Sequence, residues 1–389
     1  MDLHLTDEER AFQQEVRSWL AAEVPTAPLP NISTPEGVAQ HRAWEAKLTE
    51  AGLGAVHWPT AFGGRGLGPM STLIFNEEYA LAKAPERLNR HGLGLAGPTL
   101  IEEGTLEQQE RWIPGILSTE EIWCQGFSEP EAGSDLAGIR TKAVIEGDSL
   151  VISGEKIWTS RGVGADWMFA LVRTSTGPRR HDGITFVMID LSSPGVTVSP
   201  IRQINDEAEF AQVHLDQVRV PLTHVIGEVD DGWRVAMVTL SHERGNGAVT
   251  ASKFMLLLEE LADLMAIHST DQDAAAVHVG RLYEEILAMR YMTLRTVSEI
   301  EQGKTPGPQA SMGKLWWSDL QVRMYEVATS VLGELAEVLD PAAHDDLHAW
   351  WKRYWYSRAA TIFAGTNEIQ RNIISERILK LPKGANRAV

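Results

Sequence analysis

The stretch QGFSEPEAGSDLA at Gln125–Ala137 stands where the hydrophobic period of the sequence changes, and it divides the chain. Before it, apolar residues such as Phe12, Val16 and Leu20 recur at helical spacing, which predicts helices. From about Ile122 onward, short apolar runs separated by Gly, Pro, Asp and Ser predict strands. The stretch itself is predicted to be a loop that leads from a helical region into a sheet.

The middle of the chain begins with the pattern of a β-hairpin. Ala143–Ile145 and Leu150–Ser153 are apolar runs on either side of the turn residues Glu146-Gly147-Asp148. Further β-rich segments follow at Trp167–Val172, Gly183–Ile189, Val196–Ser199 and Phe210–Val220. These short segments, separated by turn residues, predict a small antiparallel β domain.

Helical periodicity returns after Gly232-Trp233 and continues toward the end of the chain. An apolar stripe at i, i+3, i+4, i+7 and i+8 is formed by Val279, Leu282, Tyr283, Ile286 and Leu287. We therefore predict an α+β fold with an N-terminal helical domain (1–120), a middle antiparallel β domain (121–230) and a C-terminal helical bundle (231–389).

Composition excludes several classes of protein. Lys plus Arg number 35 against 53 Asp plus Glu, a net charge of −18. So acidic a chain repels a polyanion, and nucleic acid is not an expected partner. No run of about 18 apolar residues exists, so no membrane span is expected. The N-terminus is too acidic for a transit peptide and the single cysteine, Cys124, suits a reducing compartment, so the expected location is the cytoplasm.

The sequence lacks the short motifs of several enzyme classes. No HExxH pair, Gly-x-Ser-x-Gly elbow or P-loop is present, so hydrolase and nucleotide triphosphatase activities have no support. His344 and His348 are four residues apart, but an exposed polar helix start explains them better, and no metal site is predicted. The glycine-rich run at 63–68 follows Trp58-Pro59-Thr60 rather than a strand, which favours a structural turn.

Three segments offer groups that could hold a ligand. In the loop quoted above, Ser128, Ser134 and amides near glycine can donate to a phosphate or a ring edge. In GEKIWTSR at Gly154–Arg161, a tryptophan at a strand end precedes two hydroxyls. In IFAGTNEIQRNIISER at Ile362–Arg377, Gly365 breaks one helix, and Thr366 or Asn367 can cap the next. Taken singly, each segment is better explained by a structural role than by a functional one.

Together with a fourth segment, these motifs resemble the signatures of the acyl-CoA dehydrogenase family. The four are SEPEAGSD at Ser128–Asp135, GEKIWTS at Gly154–Ser160, GEVDDGW at Gly227–Trp233 and AGTNEIQRNII at Ala364–Ile374. They occur in the family's order and at similar spacing, and the resemblance runs nearly end to end. It implies a helical domain, a β-barrel-like middle domain and a helical bundle, the same order that periodicity predicts.

The resemblance implies FAD as the cofactor. The positions that match cofactor contacts are Gln125, Phe127, Ser128, Ser134, Trp158, Ser160, Thr366, Asn367 and Glu368. The first three match contacts with the edge of the isoalloxazine. Trp158 matches the tryptophan packed on the flavin ring, and Ser160 matches the hydroxyl near flavin N5. Ser134 also matches a residue near the acyl-CoA thioester, and Gly365 matches a substrate contact.

The resemblance also implies the reaction, the dehydrogenation of an acyl-CoA to a trans-2-enoyl-CoA. A glutamate removes the α-proton, the β-hydrogen leaves as hydride to flavin N5, and an electron-transfer flavoprotein then accepts the electrons. The developing enolate needs hydrogen-bond donors at the thioester oxygen. The base works best when burial raises its pKa toward neutrality.

The position of the usual base departs from the family pattern. In most members a glutamate precedes the Gly-Thr of the last motif, but Ala364 stands there and cannot accept a proton. A minority of members carry the base in a Glu-Arg pair on an earlier helix, and this chain has Glu243-Arg244. Glu243 is therefore the predicted base, with Arg244 beside the substrate. The main-chain amide of Ala364 can still donate to the thioester oxygen.

A second departure concerns assembly. Many members bind FAD across a dimer through an Arg-x-x-Phe-Gly element, which the matching region Ile267–Val279 lacks. In this respect the chain resembles the actinobacterial acyl-CoA dehydrogenases of steroid side-chain breakdown. Several of those enzymes are two-by-two heterotetramers. A homotetramer or an α2β2 heterotetramer with a paralogue is expected. Two alternatives stay open: a non-catalytic subunit that completes a paralogue's FAD site, and a flavin oxidase or monooxygenase of the same fold.

Overall fold

The computed structural model describes residues 4–245, 251–269, 271–304, 307–308, 310–337 and 345–382. The helices are α1 Asp7–Glu23, α2 Pro35–Glu50, α3 Pro69–Leu81, α4 Gly97–Glu103, α5 Leu106–Leu117, α6 Gly232–Gly245, α7 Ala251–His268, α8 Gln272–Glu301, α9 Ala310–Leu332, α10 Asp345–Ser357 and α11 Asn367–Ile373. The strands are β1 Trp123–Gly126, β2 Lys142–Glu146, β3 Ser149–Ser160, β4 Trp167–Arg173, β5 Ile184–Asp190, β6 Val196–Ile201 and β7 Phe210–Pro221. The predicted order of helical, β and helical regions is confirmed.

The N-terminal helices form for reasons that are visible in the sequence. Thr6 and Glu9 cap α1 reciprocally, each side chain accepting a hydrogen bond from the other residue's main-chain N–H. Pro35 and Pro69 start α2 and α3, positions where the missing N–H has no helical partner in any case. Before α4, a π-type turn at Gly92–Ala96 interrupts the regular helix. The periodicity did not predict that turn, because its glycines provide no apolar pattern.

The sheet has seven strands in the order β1-β4-β2-β3-β7-β6, with β5 paired to β4. The predicted hairpin is confirmed, since β2 and β3 pair antiparallel around Gly147, whose φ is +66°. Four pairings are antiparallel as predicted, but β1 and β2 both lie parallel to β4. The parallel pairing of β1 with β4 arises because the β2–β3 hairpin lies between them in sequence and supplies the long crossover that parallel strands require.

An aromatic core joins the N-terminal helices to the sheet. Trp123 of β1 stacks on Trp167 of β4 with ring centroids 5.4 Å apart. Trp112 of α5 packs edge-on against Trp123 at 6.1 Å. Because large aromatic side chains bury the most apolar area, this contact fixes the helical domain on the edge of the sheet from which the motif at 125–137 departs.

The C-terminal helices form a second core. The predicted stripe on α8 is confirmed at Leu282 and Ile286, which are buried, whereas Tyr283 is 45% exposed at the edge of the stripe. They pack against buried residues of α7 and α9, including Leu261 and Leu320. No helix in the described ranges is both long and apolar enough to cross a membrane.

A buried ion pair joins the loop after β1 to the middle of β3. Lys156 Nζ lies 2.7 Å from Glu129 Oε1 and donates to the Phe127 carbonyl at 3.4 Å. The Lys156 side chain is fully buried and that of Glu129 is 7% exposed. Burial lowers the pKa of Lys156 to about 8, although the charge of Glu129 opposes this. The pair therefore locks the loop containing SEPEAGSD to the strand containing GEKIWTS.

Glu129 also closes the loop on itself. Its carboxylate accepts main-chain hydrogen bonds from Arg140 at 2.5 Å and from Thr141 at 2.9 Å. Burial alone would raise the pKa of Glu129, but the charge of Lys156 and these hydrogen bonds outweigh it and lower that pKa. One carboxylate thus holds both ends of the segment that carries Ser128 and Ser134.

Helix α6, which carries the predicted base, begins against the sheet. A Cβ on Gly232, its first residue, would lie 2.2 Å from the main-chain nitrogen of Phe186 and 2.6 Å from the Cα of Thr185. Asp231 just before it forms a parallel β-bridge with Ile184. Only glycine permits this close approach, so Gly232 sets the distance between α6 and β5.

We expect Gly232→Ala to lower the free energy of unfolding by about 1–3 kcal/mol, because the added methyl group forces α6 away from β5. The matched control is Gly280→Ala in α8, where an added Cβ meets no heavy atom within 4 Å. That control should raise stability by up to about 1 kcal/mol, since alanine favours helix. Urea unfolding measures the free energy of unfolding of each variant. Equal changes in the two variants would contradict the close approach of α6 to β5.

We expect Lys156→Met to lower the free energy of unfolding by about 3–5 kcal/mol, because it leaves the buried Glu129 carboxylate unpaired. Adding Glu129→Gln to this variant should recover part of the loss, since it removes the unpaired charge. The control is Arg140→Met, which breaks an ion pair with Glu131 whose side chains are 79% and 70% exposed. The control should lose no more than about 1 kcal/mol in urea unfolding, and a similar loss in both single variants would refute the role of the pair.

Candidate active site

Trp158 occupies an irregular position in β3. The pairing of β3 with β7 shifts register between Lys156 and Thr159, and Trp158 lies in this bulge with φ +59°. A bulky residue in the left-handed region is strained, and such strain concentrates at functional sites. Trp158 is 56% exposed, and its ring lies nearly perpendicular to that of Phe210, with the ring centroids 6.1 Å apart. The bulge therefore presents a flat aromatic surface on which a planar ring can stack.

Phe127 belongs to the core rather than to the surface of the site. Its ring packs edge-on against Phe169 at 5.7 Å and against Phe186 at 6.0 Å, and the residue is 5% exposed. The Phe127 side chain therefore anchors the start of the loop to the core of the sheet. A contact between Phe127 and a cofactor is limited to the main chain.

Ser128 lies beside the bulge. The Ser128 carbonyl accepts a hydrogen bond from the Ile157 N–H at 3.0 Å, which places Ser128 next to the residue that precedes Trp158. Gln125 and Ser128 are half-buried, and Ser134 is exposed. The structure thus brings Ser128 and Trp158 together, while Ser134 lies farther along the same loop.

The end of β3 is anchored to both helical domains. Ser160 is half-buried, and Arg161 follows it with φ +57°. The Arg161 guanidinium pairs with Glu86, and the main-chain N–H of Arg161 donates to the main-chain carbonyl of Glu209 at 2.8 Å. Tyr356 of α10 makes a side-chain hydrogen bond with Glu209, and burial raises the pKa of Tyr356. The end of β3, the N-terminal domain and the C-terminal bundle therefore meet at Arg161, the residue that follows Ser160.

The turn before α11 has two successive residues in the left-handed region. Ala364 has φ +54° and Gly365 has φ +82°, and both are exposed. Of the two residues predicted to cap α11, Thr366 is the cap, and its hydroxyl accepts a hydrogen bond from the Ile369 N–H at 3.2 Å. Gln370 Nε2 donates to the carbonyls of Ala364 and Gly365, each at 3.2 Å. Gln370 thus holds the turn from its buried side. The exposed main chain of Ala364 and Gly365 is accessible to a ligand.

Asn367 faces the interior of the bundle. Its Oδ1 accepts from Lys314 Nζ at 2.8 Å and from the Ser318 hydroxyl at 3.0 Å, and its Nδ2 donates to Asp319 at 2.8 Å. Burial lowers the pKa of Lys314 to about 8. Asn367 therefore positions the turn, and its contact with a cofactor is limited to the main chain. The side chain of the neighbouring Glu368 is 75% exposed.

The last turn of α6 carries Glu243 and Arg244, whose side chains lie outside the described residues. Their predicted roles therefore stay predictions. The preceding residue, His242, places Nε2 3.3 Å from Glu102 Oε2, so this end of α6 lies against the end of α4. Burial lowers the pKa of His242, although Glu102 opposes it.

Sequence reasoning missed the groups that hold the site together. Lys156 and Glu129 are residues of two predicted motifs, but nothing in the sequence shows that an ion pair between them joins the motifs. Lys314 gives no signal at all, because it lies in an ordinary amphipathic helix. Among the residues that the structure describes, no three His, Cys, Asp or Glu side chains gather into a possible metal site.

Comparison with known families agrees with this geometry. The chain matches the descriptions "Acyl-CoA dehydrogenase, N-terminal domain" over residues 6–120, "middle domain" over residues 124–218 and "C-terminal domain" over residues 230–379. These matches follow the helical, β and helical regions of the structure.

Individual relatives extend over nearly the whole chain. It is 40% identical to "Acyl-CoA dehydrogenase IpdE1" of Mycobacterium tuberculosis over 96% of this chain and 98% of that protein. It is 36% identical to "Acyl-CoA dehydrogenase FadE34" of the same organism over 87% of this chain and 46% of that longer protein.

Solved structures show the same relationship. The "Tcur3481-Tcur3483 steroid ACAD" superposes with a TM-score of 0.86 at 25% identity, covering 99% of this chain and 100% of that one. The "ChsE4-ChsE5 complex from Mycobacterium tuberculosis" superposes with a TM-score of 0.82 at 27% identity, with the same coverage. The predicted resemblance to the actinobacterial steroid-type subgroup is thereby confirmed. The chain belongs to the acyl-CoA dehydrogenase family of flavin-dependent oxidoreductases.

Proposed function

We propose that the chain uses FAD to dehydrogenate an acyl-CoA thioester between its α- and β-carbons, which yields a trans-2-enoyl-CoA. The observation that carries this proposal is the exposed Trp158 ring, which a strained bulge holds beside the loop of Ser128 and two residues before Ser160. Such an aromatic face with hydrogen-bonding groups around it suits a planar ring with polar edges.

The residues proposed to hold FAD fall into two groups. On the sheet side are the ring of Trp158, the hydroxyls of Ser128, Ser134 and Ser160, the Gln125 side chain and the main chain of Phe127. On the bundle side are Thr366, the main chain of Asn367 and the exposed Glu368 carboxylate. When bound, FAD supplies an acceptor for the hydride that leaves the β-carbon.

The proton chemistry falls to the protein. Glu243 is the proposed base that removes the α-proton, because the usual position of the base holds Ala364. Main-chain N–H groups at the left-handed turn of Ala364 and Gly365 are proposed to donate to the thioester oxygen, where negative charge develops. Arg244 is proposed to lie beside the substrate.

The proposed assembly is an α2β2 heterotetramer with a paralogue in the cytoplasm, with an electron-transfer flavoprotein as electron acceptor. Two observations support the heterotetramer over the homotetramer. The region Ile267–Val279 lacks the Arg-x-x-Phe-Gly element, and both superposed structures named above carry paired names in their descriptions. The relatives' names suggest a steroid-derived acyl group as the substrate class.

A second candidate is a non-catalytic subunit that completes the FAD site of its paralogue. The absence of a carboxylate at Ala364 favours it, because the commonest base is lost. The two candidates differ in one property: whether the Glu243 carboxylate removes the α-proton.

We expect Glu243→Gln to retain flavin and to lose about 10²–10⁴-fold in kcat, because the amide cannot accept the α-proton. Steady-state turnover with an artificial electron acceptor measures this in the flavin-loaded assembly. The control is Glu259→Gln, an exposed residue on α7, which should leave kcat unchanged. Near-normal turnover of Glu243→Gln would favour the non-catalytic subunit.

We expect the chain expressed alone to hold far less than one FAD per chain, since the missing element would have to come from the partner. Co-expression with a paralogue should restore flavin, and anaerobic addition of acyl-CoA should then bleach its absorbance. One FAD per chain in the isolated protein, bleached by substrate, would instead establish a self-sufficient homotetramer.

A further inference from the structure

The two halves of the proposed flavin site belong to different regions of the fold. The exposed Trp158 ring lies on the sheet, whereas the left-handed turn at Ala364 and Gly365 leads into α11 of the bundle. The proposed reaction uses both halves at once, because the ring positions the flavin while the turn donates to the thioester oxygen. A displacement of about 1 Å between such groups can lower a rate by about 10²-fold. The position of the bundle against the sheet therefore sets the reaction geometry.

On the sheet side, Tyr356 of α10 contacts the residue that precedes the aromatic neighbour of Trp158. That neighbour is Phe210, whose ring centroid lies 6.1 Å from that of Trp158. Glu209, directly before Phe210, makes a side-chain hydrogen bond with Tyr356 and an ion pair with Arg90 at 3.3 Å. The Tyr356 hydroxyl is the donor, because an ionised carboxylate can only accept. A hydrogen bond to a charged acceptor is stronger than one between neutral groups.

On the bundle side, the Tyr356 ring packs against the segment that leads into the turn. Its centroid lies 6.4 Å from that of Phe363, the residue before Ala364. The Phe363 ring in turn lies 6.0 Å from that of Trp317 on α9. Aromatic rings at these separations attract one another. Tyr356 thus contacts the sheet through its hydroxyl and the segment before the turn through its ring.

A second contact brings α10 to the same part of the sheet. Lys352, one helical turn before Tyr356, pairs with Glu207 at 3.7 Å. The side chains of that pair are 34% and 43% exposed, so the ion pair contributes little. The Glu209 side chain is only 20% exposed. The hydrogen bond from Tyr356 to Glu209 is therefore the stronger of the two contacts between α10 and this part of the sheet.

Building on the proposed function, we propose that Tyr356 and Glu209 form a positioning pair for the reaction. Their hydrogen bond sets the distance between the Trp158 ring and the main-chain donors at Ala364 and Gly365. Tyr356 acts through its neighbours in this role and not by contact with flavin or substrate. Because the donors act on charge that develops in the transition state, loss of the hydrogen bond lowers kcat rather than substrate binding.

The first test is Tyr356→Phe in the flavin-loaded assembly. The substrate is the acyl-CoA that bleaches the flavin fastest among straight-chain, alicyclic and steroid-derived thioesters. We expect kcat and kcat/KM to fall together by about tenfold or more, with KM and flavin content within about twofold of the unmodified protein.

The matched control is Tyr325→Phe. It also removes a buried hydroxyl that is hydrogen-bonded, but in the core of the bundle, where the partner is Arg353. This control should lower stability toward urea and leave kcat unchanged.

Variants of Glu209 separate the hydrogen bond from a general loss of structure. Glu209→Gln keeps an oxygen that accepts from the Tyr356 hydroxyl and should retain most of kcat. Glu209→Leu removes the acceptor and should lower kcat as much as Tyr356→Phe does. The double variant Tyr356→Phe/Glu209→Leu should lose no more than either single variant, because both changes break the same contact.

An unchanged kcat in Tyr356→Phe, an equal fall in Tyr325→Phe, or losses that add in the double variant would overturn the inference and leave the proposed function intact. A rise in KM without a fall in kcat, or equal losses in Glu209→Gln and Glu209→Leu, would also overturn it. Failure of every acyl-CoA to reduce the flavin of the unmodified assembly would overturn the proposed function itself. The two failures are therefore distinguishable.

Discussion

The buried ion pair between Lys156 and Glu129 is the contact on which the rest of the site depends. A charged amine with no exposed surface is tolerated only because a carboxylate lies 2.7 Å away and is itself satisfied by two main-chain donors. Each partner belongs to a different motif, so the pair holds the loop of Ser128 against the strand of Trp158. Two segments that are separate in sequence thereby act as one rigid surface.

That rigidity explains how the chain sustains unfavourable backbone at the site. Trp158 and Arg161 both have positive φ, which costs free energy for residues other than glycine. The ion pair of Lys156 lies before the bulge. The ion pair of Arg161 with Glu86 and the main-chain hydrogen bond from Arg161 to Glu209 lie after it. With both ends fixed, the bulge cannot relax, and the Trp158 ring stays exposed for a planar ligand.

The proposed chemistry is divided among the three regions of the fold. The sheet supplies the aromatic face and hydroxyls, the turn at Ala364 supplies main-chain donors, and α6 carries the proposed base. The glycine at position 232 brings α6 against the sheet, so the position of Glu243 relative to Trp158 depends on a residue without a side chain.

Local patterns in the sequence were enough to predict the helical and β regions, the β2–β3 hairpin, the cap at Thr366 and membership of the family. These features depend on residues close together in the chain, such as the apolar stripe of α8 or the turn at Gly147, so their signal survives without tertiary context. The parallel pairing of β1 with β4, the contact of Lys156 with Glu129 and the inward orientation of Asn367 toward Lys314 became evident only in the folded molecule. Each of these joins residues from different elements, and their partners are chosen by packing and by the need to satisfy buried polar groups, which no local pattern records.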